Sequence, residues 1–203
     1  MSITNLYSIF IDPFLRDIRT YISKFSGMKR GDKVLDVCCG TGDQVFYYGK
    51  EGIIATGVDL SPRMIKAAEK RKEKSGLTNV SFQVANGKQL PFKDNSFDFV
   101  SICLGLHEIK IDEIDKIISE MKRVVKKEGF LIFIDFQVPL PSTIISYLVK
   151  AIEYFAGRNH YECFKEYLKH GGLDAILNRN QLREEKRDYT ENGIIVTIKT
   201  RSV

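Results

Sequence analysis

The stretch that decides the fold is Val34-Leu35-Asp36-Val37-Cys38-Cys39-Gly40-Thr41-Gly42-Asp43. The apolar residues up to Val37 predict a buried strand, the glycines predict a tight loop, and Asp43 begins a helix that we expect to end at Lys50. The start of such a helix leaves backbone N–H groups without partners, and these bind a carboxylate or a phosphate. The stretch therefore predicts a ligand-binding loop in an α/β protein.

The residues that follow alternate short β-branched runs with longer amphipathic runs. Strands are predicted at Lys33 to Val37, Ile53 to Val58, Val80 to Val84, Phe97 to Leu104 and Gly129 to Phe136. Helices are predicted at Asp43 to Lys50, at Pro62 to Lys74, and between Asp112 and Gly129, where we expect the glycine to stop the helix. This alternation is typical of a parallel sheet with helices on both faces.

The end of the chain departs from this alternation. Asn192-Gly193 lies between the β-rich runs Lys186 to Thr190 and Ile194 to Thr200, and this dipeptide is a strong hairpin signal because both turn positions need positive φ. The last strand is therefore expected to enter the sheet antiparallel to its neighbour. Residues 139–180 contain aromatic-rich helical runs outside the alternating core, and we interpret them as a cap over the site.

Length and composition restrict the class of protein. The chain has 203 residues, of which 43% are hydrophobic, which is consistent with one folded domain and argues against general disorder. The N-terminus lacks a signal-peptide layout, and no apolar run approaches the roughly 18 residues of a membrane span, so we expect a cytoplasmic protein without stable membrane insertion. The four cysteines are too poorly spaced for a disulfide framework or a zinc site, and no metal is predicted.

The net charge of +5 is concentrated in one segment. Six basic and two acidic residues lie between positions 61 and 80, and we interpret them as the solvated face of the helix that begins at Pro62. A basic surplus confined to one helix is not spread along a groove, as binding of a nucleic acid would require. We therefore predict no nucleic-acid partner.

The glycine loop departs from a dinucleotide-binding motif. G-x-G-x-x-G would require a third glycine where Val45 stands, which argues against a nicotinamide dehydrogenase. An acidic residue, Asp36, precedes the glycines, and a second, Asp59, ends the next strand, where a carboxylate can accept both hydroxyls of a ribose. Leu60 beside it could cover one face of an adenine.

At these residues the chain resembles the class I S-adenosylmethionine-dependent methyltransferases. Their loop reads D/E-x-G-x-G-x-G, and here Cys38 replaces the first glycine. The resemblance covers residues 33–136 and continues through Ala85-Asn86-Gly87, Leu90-Pro91-Phe92, Asn95 to Val100 and Gly129 to Ile132. The chain looks most like the branch that includes the ubiquinone and menaquinone biosynthesis C-methyltransferases, which often carry Cys-Cys-Gly-Thr-Gly.

The resemblance implies a doubly wound, seven-stranded Rossmann-like sheet in a single domain. Its parts would be an N-terminal helical lid (1–30), a cofactor-binding core (33–136), a helical cap insertion (139–180) and a C-terminal hairpin (184–201). The implied cofactor is S-adenosyl-L-methionine. Its site would comprise Asp36, Cys38, Gly40, Thr41, Gly42, Asp59, Leu60, Asn86, Gly87 and Leu104.

The residues that act on the acceptor are less well defined by the sequence. His107 follows the fourth strand and is the candidate general base, because imidazole accepts a proton near neutral pH. Tyr7, His160 and Tyr161 are candidate substrate contacts, and Asp135 is expected to be structural. We predict a methyltransferase acting on a small molecule, for which the resemblance implies a quinone-like acceptor; the alternative is a non-catalytic S-adenosylmethionine-binding partner or regulatory protein. The oligomeric state is not predicted.

Overall fold

The computed structural model describes residues 17–202, which form a seven-stranded sheet in the order β3-β2-β1-β4-β5-β7-β6. The strands are β1 (Lys33–Val37), β2 (Ile54–Asp59), β3 (Val80–Val84), β4 (Phe97–Cys103), β5 (Val125–Phe136), β6 (Leu182–Thr190) and β7 (Ile195–Ser202). β1 to β5 are parallel, and β7 pairs antiparallel with both β5 and β6. The predicted mostly parallel sheet with an antiparallel last strand is confirmed.

Helices connect the strands and follow the predicted order. α1 includes residues 17–26, and the others are α2 (Asp43–Lys50), α3 (Pro62–Ser75), α4 (Ile111–Val124), α5 (Ile144–Ala156), α6 (Arg158–Lys169) and α7 (Gly172–Arg179). Two single 3₁₀ turns lie at Leu106–Glu108 and Glu191–Gly193. Ser61 caps α3 by accepting a hydrogen bond from the Met64 N–H at 3.4 Å, and Pro62 takes the first helical position.

Part of the core lies between the sheet and the apolar stripe of α4. In this helix Ile114, Ile118 and Met121 are fully buried, as the i, i+4, i+7 spacing predicts. The side chains of Val34 to Val37 alternate between the two faces of β1, and Val34, Leu35 and Val37 have no exposed surface. A strand that is buried on both faces needs helices on both sides, so this pattern is what produces the layered architecture.

The boundary between α4 and β5 differs from the prediction. The helix ends at Val124 rather than at Gly129, and β5 begins directly at Val125. Val125 pairs with Phe97 and Phe130 with Phe99, so residues 126–129 form a bulge opposite Asp98. Lys126 pairs with the Asp98 carboxylate at 2.6 Å, and a Cβ at Gly129 would lie 2.6 Å from the Asp98 carbonyl oxygen. Gly129 therefore permits a close backbone approach inside a strand.

The hairpin turn is longer than predicted. Thr190 pairs with Ile195, which leaves four residues in the loop. Asn192 and Gly193 have the expected positive φ values of 58° and 83°, and Glu191 joins them at 54°. The antiparallel hairpin is confirmed, but Ile194 belongs to the turn rather than to the strand.

Helices α5 to α7 fill the long connection between β5 and β6. α6 packs against the Leu106–Glu108 turn after β4, and the Tyr167 hydroxyl donates a hydrogen bond to the Phe136 carbonyl at 2.9 Å. These contacts attach the connection to the carboxyl ends of β4 and β5. Among residues 17–202, no helix is both long and apolar enough to cross a membrane.

Candidate functional site

A cavity of about 760 Å³ opens where β1, β2 and β4 end. Ligands of open α/β sheets bind beyond the carboxyl ends of the strands, and this volume is in the range of small-molecule sites. Its wall is formed by the loop after β1, the tips of β2 and β3, the turn after β4 and parts of α1 and α4. The topology therefore collects the motifs that are separated in the sequence.

The loop after β1 has a left-handed backbone at three positions. Cys38, Gly40 and Gly42 have φ values of 58°, 54° and 80°. Gly42 has no room for a side chain, because a Cβ there would lie 2.4 Å from the Phe82 ring. Gly42 is also the N-cap of α2, and glycine has no side chain that could accept hydrogen bonds from the first N–H groups of the helix. The loop geometry is compatible with the predicted anion-binding helix start, which stays a prediction.

Asp59 at the end of β2 holds this loop in place. One carboxylate oxygen accepts a hydrogen bond from the Gly40 N–H and the other from the Ser61 N–H, both at 2.9 Å. An ionised carboxylate has about four lone-pair sites, so it can still accept from the hydroxyls of a ligand. A Cβ at Gly40 would have no atom within 4 Å, and this open space lies beside the carboxylate.

Asp36 is buried at the base of the cavity. It accepts a hydrogen bond from the Ser101 hydroxyl at 2.6 Å and is 2% exposed. Burial raises the pKa of its carboxyl group to about 7; the Ser101 bond and the charge of Arg19 oppose this shift, and Asp59 adds to it. A cationic ligand in the cavity would favour the ionised form of this group.

The turn after β3 forms another part of the wall. The Asn86 side-chain oxygen accepts a hydrogen bond from the Lys88 N–H at 3.0 Å, which closes an Asx turn. Lys88 in turn pairs with Glu113 of α4 at 2.7 Å. The Asn86 amide oxygen is thus already engaged once, and its second lone pair is the one that could accept from a ligand.

His107 does not belong to the cavity wall. Its ring is 1% exposed, and Nδ1 lies 2.6 Å from the Asp135 carboxylate. Burial lowers the pKa of His107, but the Asp135 charge and hydrogen bond outweigh it and raise the pKa to about 9. The neighbouring Glu108 faces the cavity instead.

Most of the other predicted site residues lie in the cavity wall, and the rest do not. The cavity wall contains Asp36, Cys38, Gly40, Thr41, Asp59, Leu60, Asn86, Gly87 and Leu104. Gly42 lies beneath the loop, and His160 and Tyr161 are on α6, outside the wall. Tyr7 lies outside the described residues. The predicted roles of all these residues stay predictions.

Sequence reasoning missed two arginines near the loop. Arg71 of α3 is exposed, as the predicted solvated face requires, but its guanidinium also donates to the Thr41 carbonyl at 3.1 Å and pairs with Asp43 at 2.6 Å. Arg19 of α1 lines the cavity and lies 3.6 Å from the Asp43 carboxylate. A basic residue on an amphipathic helix has no sequence signal that distinguishes such a contact from solvent exposure.

The sheet order, the antiparallel last strand, the glycine loop after β1 and the acid at the end of β2 together define a class I methyltransferase fold. A solved structure described as a SAM dependent methyltransferase from Aquifex aeolicus has the same fold, with a TM-score of 0.73, 22% identity and 100% coverage of both chains.

The sequence comparisons identify the family. Residues 7–167 match the model of the ubiE/COQ5 methyltransferase family. Demethylmenaquinone methyltransferase from Geobacillus stearothermophilus is 36% identical over 125 residues, which are 60% of this chain and 52% of that one. The enzyme of the same name from Bacillus velezensis is 34% identical over 148 residues, 69% of this chain and 62% of that one.

The chain belongs to the ubiE/COQ5 methyltransferase family. This confirms the predicted family resemblance and the predicted cofactor, S-adenosylmethionine. The chain spans about half the length of the curated relatives it matches.

Proposed function

We propose that the protein binds S-adenosylmethionine in the cavity and transfers its methyl group to a small, quinone-like acceptor. The observation that carries this proposal is the Asp59 carboxylate, which joins the tip of β2 to the glycine loop at the cavity wall. The family match supports the reaction, and the names of the relatives support the acceptor class.

The cavity residues fit the parts of the cofactor. Asp59 would accept the ribose hydroxyls, the N–H groups after Gly40 would bind the amino-acid carboxylate, and Asn86 with Gly87 would contact the adenine. Leu60 is 67% exposed and would be covered by the adenine ring. The cavity wall also includes carboxylates that favour a cationic ligand over a neutral one.

Bound there, the cofactor supplies an electrophilic methyl group. The protein mainly has to hold donor and acceptor in line and exclude water. We propose that α5 to α7 form the cap that does this; residues 1–16 of the predicted N-terminal lid (1–30) lie outside the described residues. Glu108 and Ala156 contribute to the wall on the side of the cap, and this is where the acceptor would enter. His160 and Tyr161 of α6 lie behind that wall and would shape the acceptor pocket.

His107 would act as a positioning residue rather than as the direct proton acceptor. Its ring lies behind Glu108 and is fixed by Asp135. If the acceptor carbon loses a proton on methylation, solvent or a wall residue must receive it.

Two measurements test the proposed function. Calorimetry with S-adenosylhomocysteine is expected to give one site per chain, and no binding at millimolar ligand would contradict the proposal. Labelled S-adenosylmethionine with a reduced, short-chain demethylmenaquinone should then give a methylated product. Binding without transfer to this or any other small acceptor would instead support the non-catalytic alternative.

The proposed location is the cytoplasm. Cys38, Cys39, Cys103 and Cys163 are all free thiols, which is the state expected in a reducing compartment. Fractionation of cells that express the protein would test this location.

A further inference from the structure

At the cavity wall and behind it, five ionisable side chains meet where α5 and α6 approach the carboxyl ends of β4 and β5. His107 and Glu108 lie on the turn after β4, Asp135 is near the end of β5, Glu153 is on α5 and His160 is on α6. We call these five residues the histidine–carboxylate cluster. None of them was predicted to bind a metal, because the chain segments that bring them together are distant in sequence.

His107 has one engaged and one unengaged nitrogen. Nδ1 is bonded to Asp135 at 2.6 Å, and the backbone N–H groups of Leu106 and Phe136 fix that carboxylate at 3.0 Å and 2.8 Å. Nε2 is buried and has no hydrogen-bond partner within residues 17–202. Carboxylate oxygens of Glu108 and Glu153 lie 3.8 Å from it, which is too far for a hydrogen bond.

The Nε2 atom also cannot be satisfied by bulk water. The rings of Phe136, Phe164 and Tyr167 pack around the imidazole at centroid distances of 4.8, 6.0 and 6.3 Å. A buried polar atom without a partner destabilises the folded state, so its retention calls for an explanation such as a bound ion.

His160 repeats the arrangement of His107 with its nitrogens exchanged. Its Nε2 is bonded to the Glu153 carboxylate, and its Nδ1 lies 3.9 Å from a Glu108 oxygen. The other Glu108 oxygen is the one nearest His107. Each histidine therefore directs one nitrogen to a carboxylate and the other towards Glu108.

We propose that His107 Nε2, His160 Nδ1 and the Glu108 carboxylate bind one divalent cation, with Zn²⁺ as the ion that suits the donors. Two histidines and one glutamate are a known ligand set of zinc sites that leave a fourth position open. Metal-bound histidines usually donate their other N–H group to a carboxylate, and Asp135 and Glu153 provide these acceptors.

The spacing of the donor atoms suits such an ion after a small adjustment. Donor atoms of His107, Glu108 and His160 all lie within 4.8 Å of one another. Zinc bonds of about 2.0–2.1 Å in a tetrahedron place ligand atoms roughly 3.3 Å apart. The Glu108 side chain is 45% exposed and can rotate to close the difference.

The charges of the cluster are compatible with a divalent cation. Three carboxylates face two histidines, so a divalent ion with neutral imidazoles gives the same net charge as two imidazolium groups without metal. Glu108 belongs to both the cluster and the cavity wall, so the fourth metal position would be adjacent to the acceptor side of the cavity. The proposal does not depend on methyl transfer.

Cobalt and zinc titrations test the site directly. Chelator-treated, dialysed protein is titrated with Co²⁺, whose visible absorption reports the coordination geometry, and Zn²⁺ is then added in competition. We expect one Co²⁺ per chain and its complete displacement by one equivalent of Zn²⁺. No stoichiometric Zn²⁺ binding at 10–100 µM protein would overturn the proposal, and S-adenosylhomocysteine binding, measured separately, tells whether the cofactor site is intact.

Three variants test the assignment of two ligands, His160 and Glu108, and of the supporting carboxylate Glu153. His160→Ala and Glu108→Gln should each weaken Zn²⁺ binding by about 100-fold or more, and Glu153→Gln, which removes only the charge behind His160, by about 10-fold. The matched control is His170→Ala, since His170 forms an exposed pair with Glu166 at 3.1 Å and should bind no structural ion. Thermal unfolding verifies that each variant is folded. Zinc affinity that is unchanged in both His160→Ala and Glu108→Gln would overturn the assignment.

Discussion

The carboxylate of Asp59 accepts a hydrogen bond from the Gly40 N–H, 19 residues earlier in the chain, at 2.9 Å. This bond connects the tip of β2 to the loop after β1, and the Ser61 N–H holds the second oxygen of the same carboxylate. One side chain therefore fixes the loop and presents remaining lone pairs to the cavity. Its removal should affect ligand binding more strongly than folding.

Asp59→Ala is expected to weaken S-adenosylhomocysteine binding by about 10- to 100-fold, because hydrogen bonds to a charged group contribute about 1.5–3 kcal/mol. Calorimetry on the purified variant measures this change. Asp112→Ala is the matched control, since Asp112 is an exposed carboxylate in the first turn of α4, away from the cavity wall. Equal affinities of Asp59→Ala and the wild type would contradict the assigned role.

Cys38 occupies a left-handed position where the general class I loop pattern D/E-x-G-x-G-x-G has its first glycine. With φ at 58°, its Cβ carries a conformational cost of about 1–2 kcal/mol that glycine avoids. Cys38→Gly should therefore be more stable than Cys38→Ala by about 1 kcal/mol, since the alanine variant keeps the strain and loses the thiol. Urea unfolding of both variants measures the difference. An alanine variant that is the more stable of the two would show that the loop carries no such strain.

Asp36 should make stability fall between about pH 4 and pH 7. Its pKa is about 7 in the folded protein, mainly because of burial, and about 3.9 in an unfolded chain. The folded state therefore binds more protons than the unfolded state in this interval. The contribution of Asp36 to the free energy of unfolding is lost as pH rises through the folded-state pKa.

Asp36→Asn isolates this contribution because asparagine stays neutral and can still accept from Ser101. The unfolding free energy of the variant minus that of the wild type should increase by about 3 kcal/mol from pH 5 to pH 8. Urea unfolding at the two pH values gives the difference, in which contributions from other groups cancel. A difference that does not change with pH would mean that the Asp36 pKa is not raised.

The alternating core was predictable because its signals are local. The buried valines of β1, the stripe of α4 and the acid at the end of β2 follow from spacing and position alone. The end of α4 was not predictable, because Lys126 and Lys127 suit a helix terminus as well as a strand. The Phe97–Val125 pairing decides between them, and that contact joins residues 28 positions apart.

The grouping of the candidate site residues was predictable only where local sequence motifs mark them. The loop and Asp59 lie in recognisable patterns, and the structure places them in one wall. The pairing of His107 with Asp135 and of His160 with Glu153 had no such pattern, because each pair joins different elements. Whether a histidine faces a ligand or a carboxylate depends on packing of the cap, which one sequence does not reveal.

Gly42 should tolerate substitution less than Gly40, although both have positive φ and lie in the same loop. A Cβ at Gly40 meets no atom within 4 Å, so Gly40→Ala adds only backbone strain of about 1–2 kcal/mol. A Cβ at Gly42 would lie 2.4 Å from Phe82 Cε1 and 3.4 Å from the Ala68 Cβ, so the same substitution also forces the ring to move.

We therefore expect Gly42→Ala to lower the unfolding free energy by about 1–3 kcal/mol more than Gly40→Ala. Urea unfolding without ligand measures both. Phe82→Leu supplies the internal check, because a smaller side chain gives the new methyl group more space and should reduce the Gly42→Ala effect in the double variant while leaving the Gly40→Ala effect unchanged. Equal destabilisation by the two glycine substitutions would show that Phe82 does not restrict the loop, and the tight packing under the cavity floor would then need another cause.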